Sequence, residues 1–291
     1  MKRWASIAGV CALAVISLLA FSASALATEN LPHLGKCVAK AGGKYKNSGC
    51  TKLGKTAEEM KFEWEPLAVT VAFKAAKEKE TGNAVLESAA GTEISCASQT
   101  AKGEYGPGNL QKNVVGEFSG CKALGAGCNS NGQPSEHINT KKLHGEPGIV
   151  TKELKEEKNI DGLDLVGEES EFLAEFACGP APVLVRGGIV TKAQADSTGG
   201  TTGEWTNKMF NKVEVEYVNE KGGKQNPEEW TPNGEGTSHT KHEKTNEHLE
   251  SSINGTGYEQ SGFTLTDVQS NSPSTVKVEL RQCEKTISCP N

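Results

Sequence analysis

Val213-Glu214-Val215-Glu216-Tyr217 alternates apolar and charged side chains with a period of two. Successive side chains of an extended chain point to opposite faces. This stretch therefore collects Val213, Val215 and Tyr217 on one side and the two carboxylates on the other, whereas a helix would scatter them around its circumference. Val276-Lys277-Val278-Glu279-Leu280 repeats the pattern, and Phe172, Ala174, Phe176 and Cys178 share a face opposite Glu175. Burial of one face and solvation of the other belongs to antiparallel sheet. The same reading extends to strands at 67–73, 92–98, 111–119, 136–143, 161–166, 183–190 and 262–268. Turn residues punctuate the gaps, as at Gly106-Pro107-Gly108, Pro147-Gly148 and Gly179-Pro180. Asn254-Gly255 carries the signature of a type I′ hairpin turn, because both residues tolerate positive φ; it also opens an Asn-Gly-Thr sequon. Helix-forming composition is confined to 74–80 and 150–158, neither with an apolar stripe longer than two turns, so one or two short helices at most are expected. The expected fold is all-β, an antiparallel β-sandwich or two packed β-subdomains with little helix.

Outward from these strands the chain changes character. At the start, the basic Met1-Lys2-Arg3, the apolar run Trp4 to Phe21 and the small residues around Ala25-Leu26-Ala27 form the three parts of a secretory signal peptide. Residues 1–27 are expected to be removed after Ala27, leaving 28–291 as a secreted, extracellular β-rich chain. Ala8-Gly9-Val10 before Cys11 does not suit lipid attachment, so release is expected. The 264 residues that remain carry 29 Lys and Arg against 37 Asp and Glu. Leu, Ile, Val and Phe make up about 18% of them, just under the level of roughly 20% at which a core becomes thin. These values exclude a transmembrane span in the mature chain, a basic nucleic-acid-binding tail and a cytoplasmic enzyme with a large aliphatic core. Arg occurs only at 3, 186 and 281, and bidentate phosphate recognition relies on Arg, so nucleic acid is not an expected partner. The mixed Lys and Glu surface reads as solubility. Ala193 to Gly203 is a candidate break between subdomains, and 219–248 reads as a long polar loop.

Eight cysteines follow the leader: Cys37, Cys50, Cys96, Cys121, Cys128, Cys178, Cys283 and Cys289. An even number in an exported chain reads as disulfides, and zinc sites favour C-x2-C knuckles that are absent here. Proximity suggests Cys37–Cys50, Cys121–Cys128 and Cys283–Cys289, leaving Cys96–Cys178. A loop of about eight residues closed this way is worth roughly 2.5 kcal/mol and one of about eighty roughly 4.5. Such bracing would offset a lean core.

Motifs for chemistry are sparse. No G-x-S-x-G nucleophile elbow occurs; the nearest string is Gly236-Thr237-Ser238-His239. His239, His242 and His248 cluster in the polar stretch, but the six-residue step from His242 to His248 misses the four-residue step of H-E-x-x-H, and no metal or other cofactor is expected. Each tryptophan beyond the leader has a Glu neighbour: Glu63-Trp64, Glu204-Trp205 and Glu229-Trp230. An indole beside a carboxylate can stack on a sugar and accept its hydroxyl hydrogen bonds, which makes these six residues the candidate ligand-binding set. The competing reading of the same indoles is core or strand-edge packing.

Gly35-Lys36-Cys37-Val38, Gly43-Lys44-Tyr45 leading to Cys50, Glu63-Trp64, Phe118-Ser119-Gly120-Cys121, Leu143-His144-Gly145, Phe172 to Cys178, Val183 to Ile189, Gly222-Gly223-Lys224-Gln225 and Glu259-Gln260-Ser261-Gly262 occur in that order. This succession resembles a group of secreted, β-rich proteins that soil bacteria carry in many paralogous copies. The resemblance covers most of the chain after the leader and departs from the group at the His-rich stretch and at Cys283 and Cys289. It implies export and a β-rich fold, and it brings no activity with it.

Together these readings point to a secreted, non-enzymatic binding or surface-associated protein. A cell-wall or other polysaccharide, or a protein, is the expected partner. Two alternatives are an extracellular polysaccharide hydrolase using Glu near Trp, and an inhibitor-like protein presenting 219–248.

Overall fold

The computed structural model describes residues 32–50, 52–77, 81–152, 159–195, 209–210, 212–232, 245–270 and 278–282. The leader 1–27, Glu204, Trp205, His239, His242, Cys283 and Cys289 lie outside the described residues. So does most of the candidate break at 193–203.

The described chain is built of β-strands, in chain order β1 Pro32–Ala39, β2 Phe62–Pro66, β3 Val71–Lys77, β4 Ala84–Ser88, β5 Glu93–Cys96 and β6 Ser98–Gly106. Next come β7 Leu110–Ser119, β8 Lys122–Ala123, β9 Ala126–Asn129, β10 His137–Asn139, β11 Leu143–Lys152 and β12 Asn159–Gly167. β13 Phe172–Cys178, β14 Ala181–Ala195, β15 Met209–Phe210, β16 Lys212–Glu220 and β17 Lys224–Asn226 follow. The last are β18 Glu229–Pro232, β19 Thr245–Asn246, β20 Leu249–Ile253, β21 Glu259–Ser270 and β22 Val278–Gln282. All pairings are antiparallel, as the one-sided alternation requires.

These pairings close. β3 pairs with β6, β6 with β7, β7 with β11, β11 with β12, β12 with β14, β14 with β16, β16 with β21, and β21 with β3 again. The result is a ring of eight strands without a free edge, which removes the template for unwanted pairing that an open sheet presents. A second ring runs β14, β20, β21, β4, β5, β8, β9, β13 and back to β14. The long strands β14 and β21 belong to both: Ala181 to Gly187 and Glu259 to Thr264 serve the second ring, while Gly188 to Ala195 and Leu265 to Ser270 serve the first. One apolar core runs through both, from Phe73, Val114, Leu165 and Val215 to Ile94, Leu173, Val183 and Leu249.

The separate sheet β15-β22-β1-β2 reaches the same core through Leu34 and Val278. It is tied to the β6–β7 turn by the Leu34 N–H, which donates to Asn109 Oδ1 at 2.6 Å. Beside it, Tyr45, Cys50 and Trp64 form a small core of their own with Phe62.

The strand expected at 67–73 is shifted to Val71–Lys77, and this removes one of the two expected helices. Lys74-Ala75-Ala76-Lys77 has helical composition, yet Val71, Phe73 and Ala75 face inward with exposed residues between them. Tertiary burial overrides weak local preference here. At the second site, Val150 to Lys152 continue β11, while 153–158 lie outside the described residues. Within the polar stretch 219–248, expected as a loop, the described residues form β17, β18 and β19, and Gln225 and Trp230 are buried. Asn254 and Gly255 adopt φ of 56° and 73°, and the Thr256 N–H donates to Ile253 O at 3.3 Å, so the expected turn forms, but β20 and β21 pair from Ser251 and Glu259 outward and the turn sits within a longer loop instead of closing a two-residue hairpin.

Of the pairings suggested by proximity, Cys37–Cys50 is present. Cys121–Cys128 and Cys96–Cys178 are replaced by Cys96–Cys121 and Cys128–Cys178. The reason lies in the second ring: β8 and β9 form a tight hairpin between β5 and β13, so Cys121 arrives next to β5 and Cys128 lies directly across from Cys178. Loops of 25 and 50 residues are closed instead of 7 and 82. On chain-entropy grounds each is worth roughly 3.5–4 kcal/mol.

Candidate functional site

The interior contains a cavity of about 120 Å³ that spans the junction of the two rings. Most of its wall is apolar, with Phe73, Ile94, Leu165, Leu173, Phe176 and Leu265 among the lining side chains. One end is different. Gln99 and Gln111, on β6 and β7, and Asp267 and Gln269, on β21, all face into it.

Alternation explains how polar groups come to be inside. On β21, Phe263, Leu265, Asp267 and Gln269 occupy successive inward positions, so the strand that supplies apolar wall also supplies the carboxyl. On β6 the inward set is Gln99, Ala101, Gly103 and Tyr105. Gly103 is required there, because a Cβ would lie 2.6 Å from the Phe73 ring and 3.0 Å from Val114. On β7 an irregularity at Asn113, with φ of 52°, resets the phase so that both Gln111 and Val114 point inward.

The polar end is partly connected. The Tyr105 hydroxyl donates to Gln269 Oε1 at 2.9 Å, and Gln111 Nε2 donates to the same oxygen at 3.3 Å. Gln99 Nε2 lies 3.5 Å from Asp267 Oδ2. Gln99 Oε1, Gln111 Oε1 and Asp267 Oδ1 remain buried with no protein partner. Asp267 is 2% exposed, Gln99 4% and Gln111 1%, and a buried polar atom left unbonded costs about 1–3 kcal/mol. Burial pushes the Asp267 carboxyl up to about 8, opposed in part by the Gln99 contact, so it is protonated at neutral pH. Burial first, and the proximity of Asp267 second, raise the phenols of Tyr105 and Tyr217 well above their ordinary range. The whole polar end is therefore uncharged.

The residues singled out in the sequence are placed elsewhere. Trp64 and Trp230 are 4% and 1% exposed, so neither indole offers a face for stacking. Glu63-Trp64-Glu65-Pro66 and Glu229-Trp230-Thr231-Pro232 share a pattern with a packing purpose. In each, a glycine of the neighbouring strand lies opposite the proline, Gly35 opposite Pro66 and Gly148 opposite Pro232, and the indole two residues earlier lies over that glycine. A Cβ on Gly35 would lie 2.2 Å from Trp64 Cζ2, and one on Gly148 2.3 Å from Trp230 Cε3. Glu63 accepts from the Lys44 N–H at 3.3 Å, and Glu229 is exposed. His248 is exposed, with Nδ1 3.7 Å from Glu228. Among the described residues no group of three or more His, Cys, Asp and Glu could hold a metal, and no helix is long and apolar enough to cross a membrane.

The polar end escaped the sequence reading although a signal exists. Asp267 is one of only four aspartates in a chain rich in glutamate, and it stands in the inward phase of Phe263-x-Leu265-x-Asp267-x-Gln269. No protein-family model, curated protein or solved structure matches the chain.

Proposed function

We propose that this is an exported, non-enzymatic binding protein that takes a small, mostly apolar molecule into the interior of its β-rings. The observation that carries the reading is the cavity itself, an apolar wall with a few converging polar groups at one end, the usual make-up of a small-molecule site. Its volume sets the scale of the occupant. An engineered apolar cavity of about 150 Å³ in another protein holds benzene, so about 120 Å³ suits a single ring or a short alkyl chain. The buried indoles favour this interior site over polysaccharide stacking. Export is supported by the leader pattern in residues 1–27 together with three disulfides.

The test uses the secreted chain, whose intact mass is expected to correspond to a start at Thr28. Toluene and phenol are titrated by ligand-observed NMR and by thermal unfolding. Saturable transfer to at least one of them and a rise in Tm are expected, because a ligand at about a hundred times its Kd stabilises by roughly 2.7 kcal/mol. Ala84→Leu, which adds bulk at the cavity wall, should weaken binding while leaving a cooperative melt. No transfer and no Tm change with either compound would remove the reading.

A further inference from the structure

We propose that the polar end of the cavity selects a neutral hydroxyl group, so that the occupant is a phenol or a short alcohol rather than a hydrocarbon or a carboxylate. This rests on the interior-binding reading above and narrows it. Three buried oxygens that line the cavity, Gln99 Oε1, Gln111 Oε1 and Asp267 Oδ1, have no protein partner. Of the other polar atoms there, Gln269 Oε1 takes two hydrogen bonds, and the amide nitrogens of Gln99 and Gln111 each donate one.

Complementarity follows from that inventory. Amide oxygens only accept, whereas a protonated carboxyl can donate through its O–H. A hydroxyl does both, so it can accept from Asp267 and donate to Gln99 or Gln111. A hydrocarbon would seal the three oxygens away from any partner. A carboxylate would set two more acceptors against amide oxygens and would bring an unpaired charge into a buried site, which is far more costly.

Phenol, toluene and benzoate share one ring and nearly one size, and at about pH 6 Asp267 is neutral while benzoate is charged. Their affinities are measured by ligand-observed NMR and calorimetry on the wild-type chain, on Gln111→Met and on Gln99→Met. Phenol is expected to bind about tenfold more tightly than toluene, the ratio that one hydrogen bond of ordinary strength supplies. Toluene is the more hydrophobic compound, so partition alone would give the opposite order. In at least one Gln→Met variant the phenol preference should fall to within about threefold. Toluene binding as well as phenol, or benzoate binding as well as either, would overturn the hydroxyl assignment and leave interior binding standing. A phenol preference that persists in both variants would also overturn it, because the selecting atoms would then lie elsewhere. Failure of all three to bind would remove the interior-binding reading as well, and this result is distinct from the others. The wild-type series decides the matter even where a variant does not fold.

Discussion

A single carboxyl inside the first ring makes the stability of this protein depend on pH in an unusual direction. In the unfolded chain Asp267 has an ordinary carboxylate pKa, and in the folded protein burial holds it near 8. Between those values the folded state binds the extra proton, so stability from this group is fully present below about pH 4, falls as pH rises, and levels off above about pH 8. Asp267→Asn keeps the shape and removes the titration. Thermal unfolding of the variant against wild type should give a Tm difference in favour of Asn that grows from pH 5 to pH 8 and then flattens, a gain of a few kcal/mol at the alkaline end. A constant difference across that range would show that Asp267 does not titrate as described. Glycines act at the same scale. Gly148→Ala pushes a methyl into the Trp230 ring and close to Thr231 O, so the indole must leave its seat. Denaturant unfolding should show a loss of about 1–3 kcal/mol, the usual toll of overpacking, together with a red-shifted native tryptophan emission. Gly35→Ala should do the same at Trp64.

At the level of elements, the strands most visible in the sequence are those that carry large apolar residues at spaced positions along their length. Phe172–Cys178 agrees with its expected bounds, and Leu110–Ser119 differs by one residue. Ser98–Gly106 was not visible, and the reason is physical. Its inward positions are Gln99, Ala101, Gly103 and Tyr105, chosen to make room for neighbours and to line a polar end, so no apolar period announces the strand. The strand that carries Gln99 to the candidate site is thus one that hydrophobic pattern hides. Cysteine partners were hidden for a related reason, since closeness in sequence says nothing about which strand a hairpin inserts beside. Peptide mapping of the oxidised protein should recover Cys96 linked to Cys121 and Cys128 linked to Cys178. A Cys121–Cys128 peptide would contradict the order of strands in the second ring.

For the whole molecule, antiparallel pattern and export-type cysteines were enough to reach an all-β, disulfide-braced class. Ring closure was beyond reach, because it depends on long-range pairings such as Val71 with Tyr105 and Asp267 with Lys77, which no local pattern encodes. Closure also explains how a chain with few aliphatic residues encloses an interior, since every strand of a ring turns one face inward. The sharing of β14 and β21 carries a further consequence. Neither ring can be excised as a module: the chain passes back and forth between them, and within β14 and β21 it crosses from one to the other at Gly187–Gly188 and Thr264–Leu265 with no loop between, so no single cut frees either ring. A lineage could therefore trade its surface turns freely, but it would have to inherit the paired rings as a single indivisible part.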